Sequence, residues 1–162
     1  MPSSVSISLV IFVWITTIII INHASTTVAK TQSSSLDQEL KVLNQTRWYN
    51  REASPRACQW YGAICNDVGS VVEVNVSYEQ TYTSIFNFSY FNFSLIPNLV
   101  RFKVVEVELE GTIPPEIGSV SKLTHLNLSR NFLSGELPRS LTKLTQLEKL
   151  DISFNRMSGP IP

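Results

Sequence analysis

Residues Leu123–Pro138 read LTHLNLSRNFLSGELP, and residues Leu147–Pro162 read LEKLDISFNRMSGPIP. The second stretch begins 24 residues after the first. The same spacing of 24 residues separates Gly111 from Gly135 and Gly135 from Gly159. A regular period in this range predicts a solenoid, in which each repeat packs only against its neighbours. Such a fold presents a long open surface and does not enclose a reactive cleft.

Within each copy, apolar and polar residues alternate, and this alternation predicts a short strand followed by a turn. Leu126 and Leu128 are two residues apart, so both point inward while His125 points outward. Successive strands are expected to form a parallel β-sheet on the concave face. Asn131 and Asn155 follow these strands, where an inward amide can satisfy buried backbone groups. This pattern of Leu and Asn is typical of a leucine-rich repeat, so the predicted fold class is an α/β solenoid.

The earlier coils follow this frame less regularly. Val107 occupies the Asn position one period before Asn131, and the step between the strand residues Val74 and Phe102 is 28. We interpret the aromatic residues of that first coil as packing for an irregular coil, with a ligand site as the alternative; they are Tyr82, Phe86, Phe88, Tyr90, Phe91 and Phe93. The predicted organisation is a signal peptide over residues 1–29, an N-terminal cap over 30–70, an irregular first repeat over 71–98, repeats over 99–122 and 123–146, and an incomplete last repeat over 147–162.

The N-terminus carries a short apolar run, Ile7–Ile21, and no Lys or Arg precedes Lys30. A run of this length, followed by small and polar residues, predicts a secretory signal that is cut after Thr27-Val28-Ala29. An uncleaved signal anchor is the alternative, because the basic residues that usually precede such a run are missing.

Cys58 and Cys65 are the only two cysteines of the chain. Their spacing is too long for a Cys-x-x-Cys redox motif, and two thiols are too few for a structural zinc site, so we predict a disulfide between them. Before them, Leu36, Leu40 and Leu43 recur at helical spacing. This spacing predicts a short amphipathic helix that covers the first coil.

Five Asn-x-Ser/Thr sequons follow the predicted signal, and in a secreted chain they predict N-glycosylation at several positions. Asn87 and Asn92 lie in the loop of the irregular coil and are the favoured acceptors. Glycans at Asn75 and Asn127 would obstruct the predicted sheet face. The candidate acceptors are Asn44, Asn75, Asn87, Asn92 and Asn127.

Charge and composition favour a binding module over several other classes. Lys plus Arg number 13, as do Asp plus Glu, and the charges are dispersed, so neither nucleic acid nor an anionic membrane surface is predicted as a partner. The sequence has no phosphate-binding Gly loop and no metal-ligand cluster, and we assign no catalytic, metal-binding or cofactor-binding residue. His125, Ser129 and Asp151 superficially resemble a catalytic trio, but all three are expected in exposed positions of an open sheet.

Outward positions of successive strands should form columns along which a peptide can lie. We predict that five of these positions carry most of the ligand affinity, because Arg and aromatic residues dominate protein hot spots. The alternative interpretation is that they are solvated strand positions. The five candidates are Arg101, His125, Arg130, Lys149 and Phe154.

The cap and the repeat endings together resemble a known family. The cap pattern Cys58-x-Trp60-x-Gly62-x-x-Cys65 and the ending Leu-x-Gly-x-Ile-Pro are similar to the extracellular part of plant leucine-rich repeat receptor-like kinases and receptor-like proteins. The resemblance spans Leu36–Pro162. It implies a plant protein that is secreted or lies on the extracellular side of the plasma membrane, in the cell wall space. It also implies a protein or peptide ligand and a co-receptor as partners.

The sequence departs from that family after Pro162. Family members carry further coils, a C-terminal cap, a membrane span and often a kinase. We therefore expect a truncated or partial receptor ectodomain that is not an enzyme and that reaches a membrane only through a missing C-terminal span or an uncleaved signal anchor. The alternative is a short secreted protein that inhibits wall-degrading enzymes or acts as a decoy. An uncapped last coil also predicts self-association through that end.

Overall fold

The computed structural model describes residues 14, 16–21, 35–46, 57–60, 62–77 and 86–162. Two compact units are formed by Met1–Ser35 and Leu36–Pro162. In the first unit residues 16–21 are helical, while most of the predicted signal peptide and its cut site lie outside the described residues. Within the described ranges, no helix has both the length and the apolar character needed to cross a membrane.

The second unit is built from short strands that follow one another along the chain. Those in the described residues are β1 (Ala63–Cys65), β2 (Val71–Ser77), β3 (Phe86–Asn87), β4 (Arg101–Val105), β5 (Leu109–Gly111), β6 (His125–Asn127), β7 (Phe132–Gly135), β8 (Lys149–Asp151) and β9 (Arg156–Met157). Short 3-10 helices separate many of them, at Ala57–Gln59, Phe88–Tyr90, Phe93–Leu95, Pro115–Ser119 and Arg139–Lys143.

The strands form two sheets. The principal sheet has the order β1-β2-β4-β6-β8, and its neighbours are parallel except for the antiparallel pair β1 and β2. The second sheet has the order β3-β5-β7-β9 and is parallel throughout. The principal sheet confirms the predicted parallel sheet of a leucine-rich repeat. The repeat pattern does not predict the second sheet, because the Gly and Pro of each repeat ending indicate only turns.

The register of the principal sheet keeps the predicted columns. Val74 pairs with Phe102, which confirms the longer step in the first coil. The first outward column contains, in order, Glu73, Arg101, His125 and Lys149. The second outward column contains Asn75, Lys103, Asn127 and Asp151.

The inward side chains of the same strands form a continuous core. Val74, Phe102 and Leu126 are buried at equivalent positions of successive coils. Leu150 continues this row but is 42 % exposed, because β8 is the last strand of the sheet and has a neighbour on one side only. Each coil is therefore stabilised mainly by the coils on either side of it.

Aromatic side chains fill the irregular coil. Phe88, Phe91 and Phe93 are buried, and their ring centroids lie 6.0, 5.3 and 5.2 Å from that of Phe102. This cluster confirms the packing interpretation for these three residues. Tyr90 is exposed, and Tyr82 lies outside the described residues.

Asn131 acts as the inward amide that the repeat pattern predicts. It is buried, and its side chain bonds only to backbone groups. Its Oδ1 accepts hydrogen bonds from the N–H groups of Val107 and Leu109. Its Nδ2 donates to the carbonyl groups of Val104, Leu128 and Ser129. Asn155 makes the three corresponding carbonyl bonds one coil later and accepts one N–H bond, from Leu133, so both structural assignments are confirmed.

The N-terminal cap contains the predicted helix and the predicted disulfide. Residues 35–45 are helical, Leu43 is buried and Leu40 packs against the core. Cys58 and Cys65 are bonded, with a distance of 5.6 Å between their Cα atoms. Strand β1 includes Cys65 and extends the edge of the principal sheet. The disulfide therefore constrains the segment that joins the cap to the first coil.

Replacing both cysteines, Cys58→Ser with Cys65→Ser, should lower the free energy of unfolding by about 2.5 kcal/mol, because the unfolded chain regains the entropy of the closed loop. Urea denaturation followed by tryptophan fluorescence measures the loss. Peptide mapping of the wild-type protein without reductant should recover the two cysteines in one linked pair. Two free thiols in that map would contradict the disulfide.

A buried carboxylate fastens the cap helix to the first coil, and the apolar spacing of the helix did not reveal it. Glu39 is buried, and its two oxygens accept hydrogen bonds from Ser70 Oγ at 2.6 Å and from the Val71 N–H at 2.7 Å. Asn98 donates to Ser70 Oγ, and Lys122 Nζ donates to Asn98 Oδ1 at 2.7 Å. A chain of hydrogen bonds thus connects the cap helix with the next two coils.

Candidate ligand-binding groove

A groove of about 590 Å³ lies over the outward columns of the principal sheet. It crosses β2, β4, β6 and β8, so all the regular coils and the first coil contribute to it. Its polar and charged lining residues are Glu73, Arg101, Lys103, His125, Asn127, Glu148, Lys149 and Asp151. Three of them are basic and three are acidic, and the groove therefore has no strong excess of either sign.

Three of the five predicted ligand-face residues meet in this groove. Arg101, His125 and Lys149 stand side by side in the first column. Arg130 and Phe154 do not line the groove, since they follow the ends of β6 and β8. The Arg130 guanidinium carbon lies 4.9 Å from the centroid of the Phe154 ring. The five candidates therefore belong to two separate surfaces.

The basic residues of the groove differ in whether they already form an ion pair. Arg101 forms an ion pair with Glu73, with an N···O distance of 3.5 Å. No ion pair engages Lys103 or Lys149 with the described carboxylates. Lys103 was not among our five candidates, although its place between the inward residues of β4 predicts that it points outward. The two lysines offer positive charge that a ligand can neutralise.

Similar turns follow β6 and β8. Asp151 Oδ1 accepts hydrogen bonds from Oγ and N–H of Ser153 at 2.7 and 3.0 Å. Asn127 Oδ1 accepts the same two bonds from Ser129, also at 2.7 and 3.0 Å. The bonds from the Ser153 side chain and backbone lower the pKa of Asp151 below its ordinary value, because they stabilise the charged carboxylate. Asp151 thus stays ionised in neutral and mildly acidic solution.

The structure corrects the exposed position that the repeat pattern assigns to Ser129. Its exposed fraction is 6 %, because its hydroxyl group turns back to bond with Asn127. His125 Nδ1 instead bonds with Thr124 Oγ1 at 2.9 Å. His125 and Ser129 therefore have different hydrogen-bond partners, and the Ser129 hydroxyl group, besides its bond to Asn127, also helps to lower the pKa of Asp151.

The candidate glycosylation sites lie on different parts of the surface. Asn75 is exposed on β2, and Asn127 is half-buried in the lining of the groove. Asn92 is exposed in the irregular coil, whereas Asn44 and Asn87 are half-buried. Glycosylation at each of them stays a prediction. A glycan at Asn127 would occupy the groove, while one at Asn92 would not lie among the groove residues.

Comparison with known proteins shows that the chain is similar to parts of plant leucine-rich repeat receptors. Residues 111–157 match the family model described as Leucine rich repeat. The leucine-rich repeat receptor-like serine/threonine-protein kinase RGI4 of Arabidopsis thaliana is 35 % identical over 87 residues, which are 54 % of this chain and 8 % of that protein. The crystal structure of PEPR1 with AtPEP1 is 28 % identical with a TM-score of 0.58, and the match covers 73 % of this chain and 16 % of that chain.

A further solved structure agrees with this comparison. The ectodomain of the Arabidopsis receptor kinase HAESA, crystallised with an IDA peptide hormone, is 26 % identical with a TM-score of 0.55, and the match covers 80 % of this chain and 23 % of that chain. The chain spans less than a quarter of the length of each of these relatives. Its cap, disulfide, parallel sheet and repeat pattern give it the fold of a leucine-rich repeat solenoid, and the chain resembles the N-terminal cap and first repeats of plant receptor-like kinase and receptor-like protein ectodomains.

Proposed function

We propose that this chain is an extracellular recognition module that binds a peptide or protein segment in the groove over the principal sheet. The observation that carries the proposal is the line formed by Arg101, His125 and Lys149 across three strands in register. Neighbouring strands are about 4.8 Å apart, so this line is about 10 Å long and matches about three residues of an extended peptide.

The named relatives support a peptide as the ligand class. PEPR1 was crystallised with AtPEP1, and the HAESA ectodomain with an IDA peptide hormone. The balanced charge of the groove favours a peptide that carries both acidic and basic side chains. A strongly anionic ligand would meet the three carboxylates of the groove as well as its three cations, which disfavours it.

The proposed location is outside the cell, either in free form or at the plasma membrane. The disulfide supports this, since disulfides persist in oxidising compartments. The five sequons and the apolar N-terminal run are consistent with the same route. The inhibitor or decoy role expected as the alternative stays a prediction.

The binding test uses the 162-residue protein and a library of synthetic peptides of about twelve residues. The tightest binder is then measured against Arg101→Ala with Lys149→Ala. This double variant should lose at least about tenfold in affinity, because each truncated hot-spot side chain typically costs more than about 1 kcal/mol. Biolayer interferometry at two salt concentrations measures both the affinity and its electrostatic part.

A matched control removes the same amount of positive charge elsewhere. Arg139→Gln with Lys143→Gln changes two exposed residues of a 3-10 helix that does not line the groove. The affinity of this variant should equal that of the wild-type protein. An equal loss in both double variants would overturn the proposal, as would undiminished binding by the groove variant.

A further inference from the structure

Two successive coils carry the same two residue types in opposite order around their buried asparagines. The segments are Arg130-Asn131-Phe132 and Phe154-Asn155-Arg156. The Arg130 guanidinium carbon lies 4.9 Å from the Phe154 ring centroid, and that of Arg156 lies 4.9 Å from the Phe132 ring centroid. The reversed order therefore produces two stacks side by side. We call the surface formed by Arg130, Phe132, Phe154 and Arg156 the Arg–Phe ridge.

The backbone beneath the ridge is held in place by hydrogen bonds. Asn131 and Asn155 point inward between the ridge residues and bond to backbone groups of their own and the preceding coil. The Arg130 N–H also donates to the Ser153 carbonyl at 2.9 Å. Each ridge side chain is further restrained by its stack with the neighbouring coil. These contacts reduce the conformational entropy that is lost when a partner binds.

The ridge is exposed and rich in residues that dominate protein interfaces. Phe154 is 74 % exposed and Phe132 is 45 % exposed, and both arginines are exposed as well. Aromatic residues and Arg are enriched in interface hot spots. None of the four residues lines the groove over the principal sheet, so the ridge is a separate surface.

Both guanidinium groups of the ridge lack a carboxylate partner in the described part of the chain. Glu106 stands one period before Arg130 and is exposed, yet the two form no ion pair. Arg156 likewise forms none with a described residue. A guanidinium group that lies over a ring keeps its in-plane N–H donors available, and these match the two oxygens of a carboxylate.

We propose that the Arg–Phe ridge docks an extended acidic segment of a partner protein. Two carboxylates of that segment bind Arg130 and Arg156, and intervening apolar side chains contact the rings of Phe132 and Phe154. Arg156 lies in β9 and pairs with Ser134 of β7, whereas Arg130 precedes β7 and has a left-handed φ of 57°. The two guanidinium groups belong to neighbouring coils, so the proposed partner carries two acidic residues separated by apolar ones.

Acidic residues beside the ridge set the direction of the segment. Glu106 and Glu108 lie one repeat period before Arg130 and Phe132, and Glu110 pairs with Phe132 in the second sheet. A carboxylate placed next to them would be repelled, whereas a basic side chain would be attracted. The acidic end of the segment thus lies toward β9, and a basic or neutral residue lies toward β5.

The experiment uses the 162-residue protein and a fluorescein-labelled peptide of about ten residues with alternating Glu and Val. A peptide with Lys in place of Glu is the matched probe. Fluorescence polarisation should give at least about tenfold tighter binding of the Glu peptide. Arg130→Gln with Arg156→Gln should abolish this preference. Phe132→Leu with Phe154→Leu keeps every charge and should weaken binding severalfold, an effect that charge alone does not produce.

Three controls distinguish binding at the ridge from general charge attraction, from binding in the groove and from binding of a sugar chain. Arg139→Gln with Lys143→Gln removes two positive charges from another surface and should leave Glu-peptide binding unchanged. An equal loss in this control would overturn the proposal in favour of general charge attraction.

The groove variant, Arg101→Ala with Lys149→Ala, tests the second possibility. If it loses affinity for the Glu peptide and the ridge variants do not, the peptide binds in the groove and the ridge proposal alone is overturned. Oligogalacturonate, an acidic sugar chain, is measured in parallel; if it binds the ridge and the Glu peptide does not, the assignment of a protein partner is wrong.

Discussion

Gly62→Ala is expected to lower the free energy of unfolding by about 3 to 5 kcal/mol, among the largest losses that a single methyl group causes. Gly62 has a φ of +84°, and a Cβ added there would overlap the backbone carbonyl oxygen of Asn75. The two residues are held close by a hydrogen bond from the Asn75 N–H to the Gly62 carbonyl at 2.7 Å. Relief of the overlap would separate β1 from β2 and detach the disulfide-bonded cap from the first coil.

Gly69→Ala provides the matched control for backbone strain. Gly69 has a φ of +83°, almost the same as Gly62, but the nearest atom to an added Cβ is Leu36 Cδ1 at 3.6 Å, an ordinary contact. The control should therefore lose only about 1 to 2 kcal/mol, the cost of a left-handed conformation in an alanine. Urea denaturation of the wild-type protein and both variants gives the difference. Equal losses would show that the overlap with Asn75 has no energetic weight.

Asn131→Ala should lower the free energy of unfolding by about 3 to 4 kcal/mol, because buried backbone groups lose their partners and each such group costs about 1 to 3 kcal/mol. The N–H groups of Val107 and Leu109 and the Val104 carbonyl depend on this side chain. Asn131 is buried, so water does not easily replace the lost amide. The repeats before and after it should separate more readily, with faster amide exchange at Val107 and Leu109.

Asn155→Ala tests the equivalent side chain at a more solvent-exposed position. Asn155 bonds to Leu133 N–H and to carbonyl groups of Leu128 and Ile152, but it is only half-buried. Water can satisfy part of the exposed backbone, and the expected loss is about 1 to 2 kcal/mol. Thermal and urea denaturation of both variants measure the comparison. If Asn155→Ala is as destabilising as Asn131→Ala, burial does not set the cost of losing the amide.

Much of the candidate groove follows from the repeat pattern. Because side chains alternate along a strand and the repeat has a constant step, equivalent outward residues fall into the same column. The structure confirms the column that contains Arg101, His125 and Lys149. It does not place Arg130 and Phe154 with them, since the chain has already left the strand at those positions.

Other parts of the surface depend on contacts that the repeat pattern does not specify. The stack of Arg156 on Phe132 joins residues 24 apart, and either residue alone is an ordinary exposed position of the repeat. The buried carboxylate of Glu39 is accounted for only by its bonds to Ser70 and Val71, which lie in another part of the chain. Taken one position at a time, each of these residues is typical of a solvated surface position.

The sequence by itself determined the solenoid, the principal sheet with its inward and outward residues, and the disulfide of the cap. These follow from local rules that every coil repeats, namely the two-residue alternation of a strand, the inward amide after it and the spacing of two cysteines. Only the tertiary structure decided the second sheet, the burial of Ser129 and the pairing within the Arg–Phe ridge. Each of these depends on the side chain or backbone group that a neighbouring coil, or the next turn of the same coil, places beside it. The repeat period does not specify that partner.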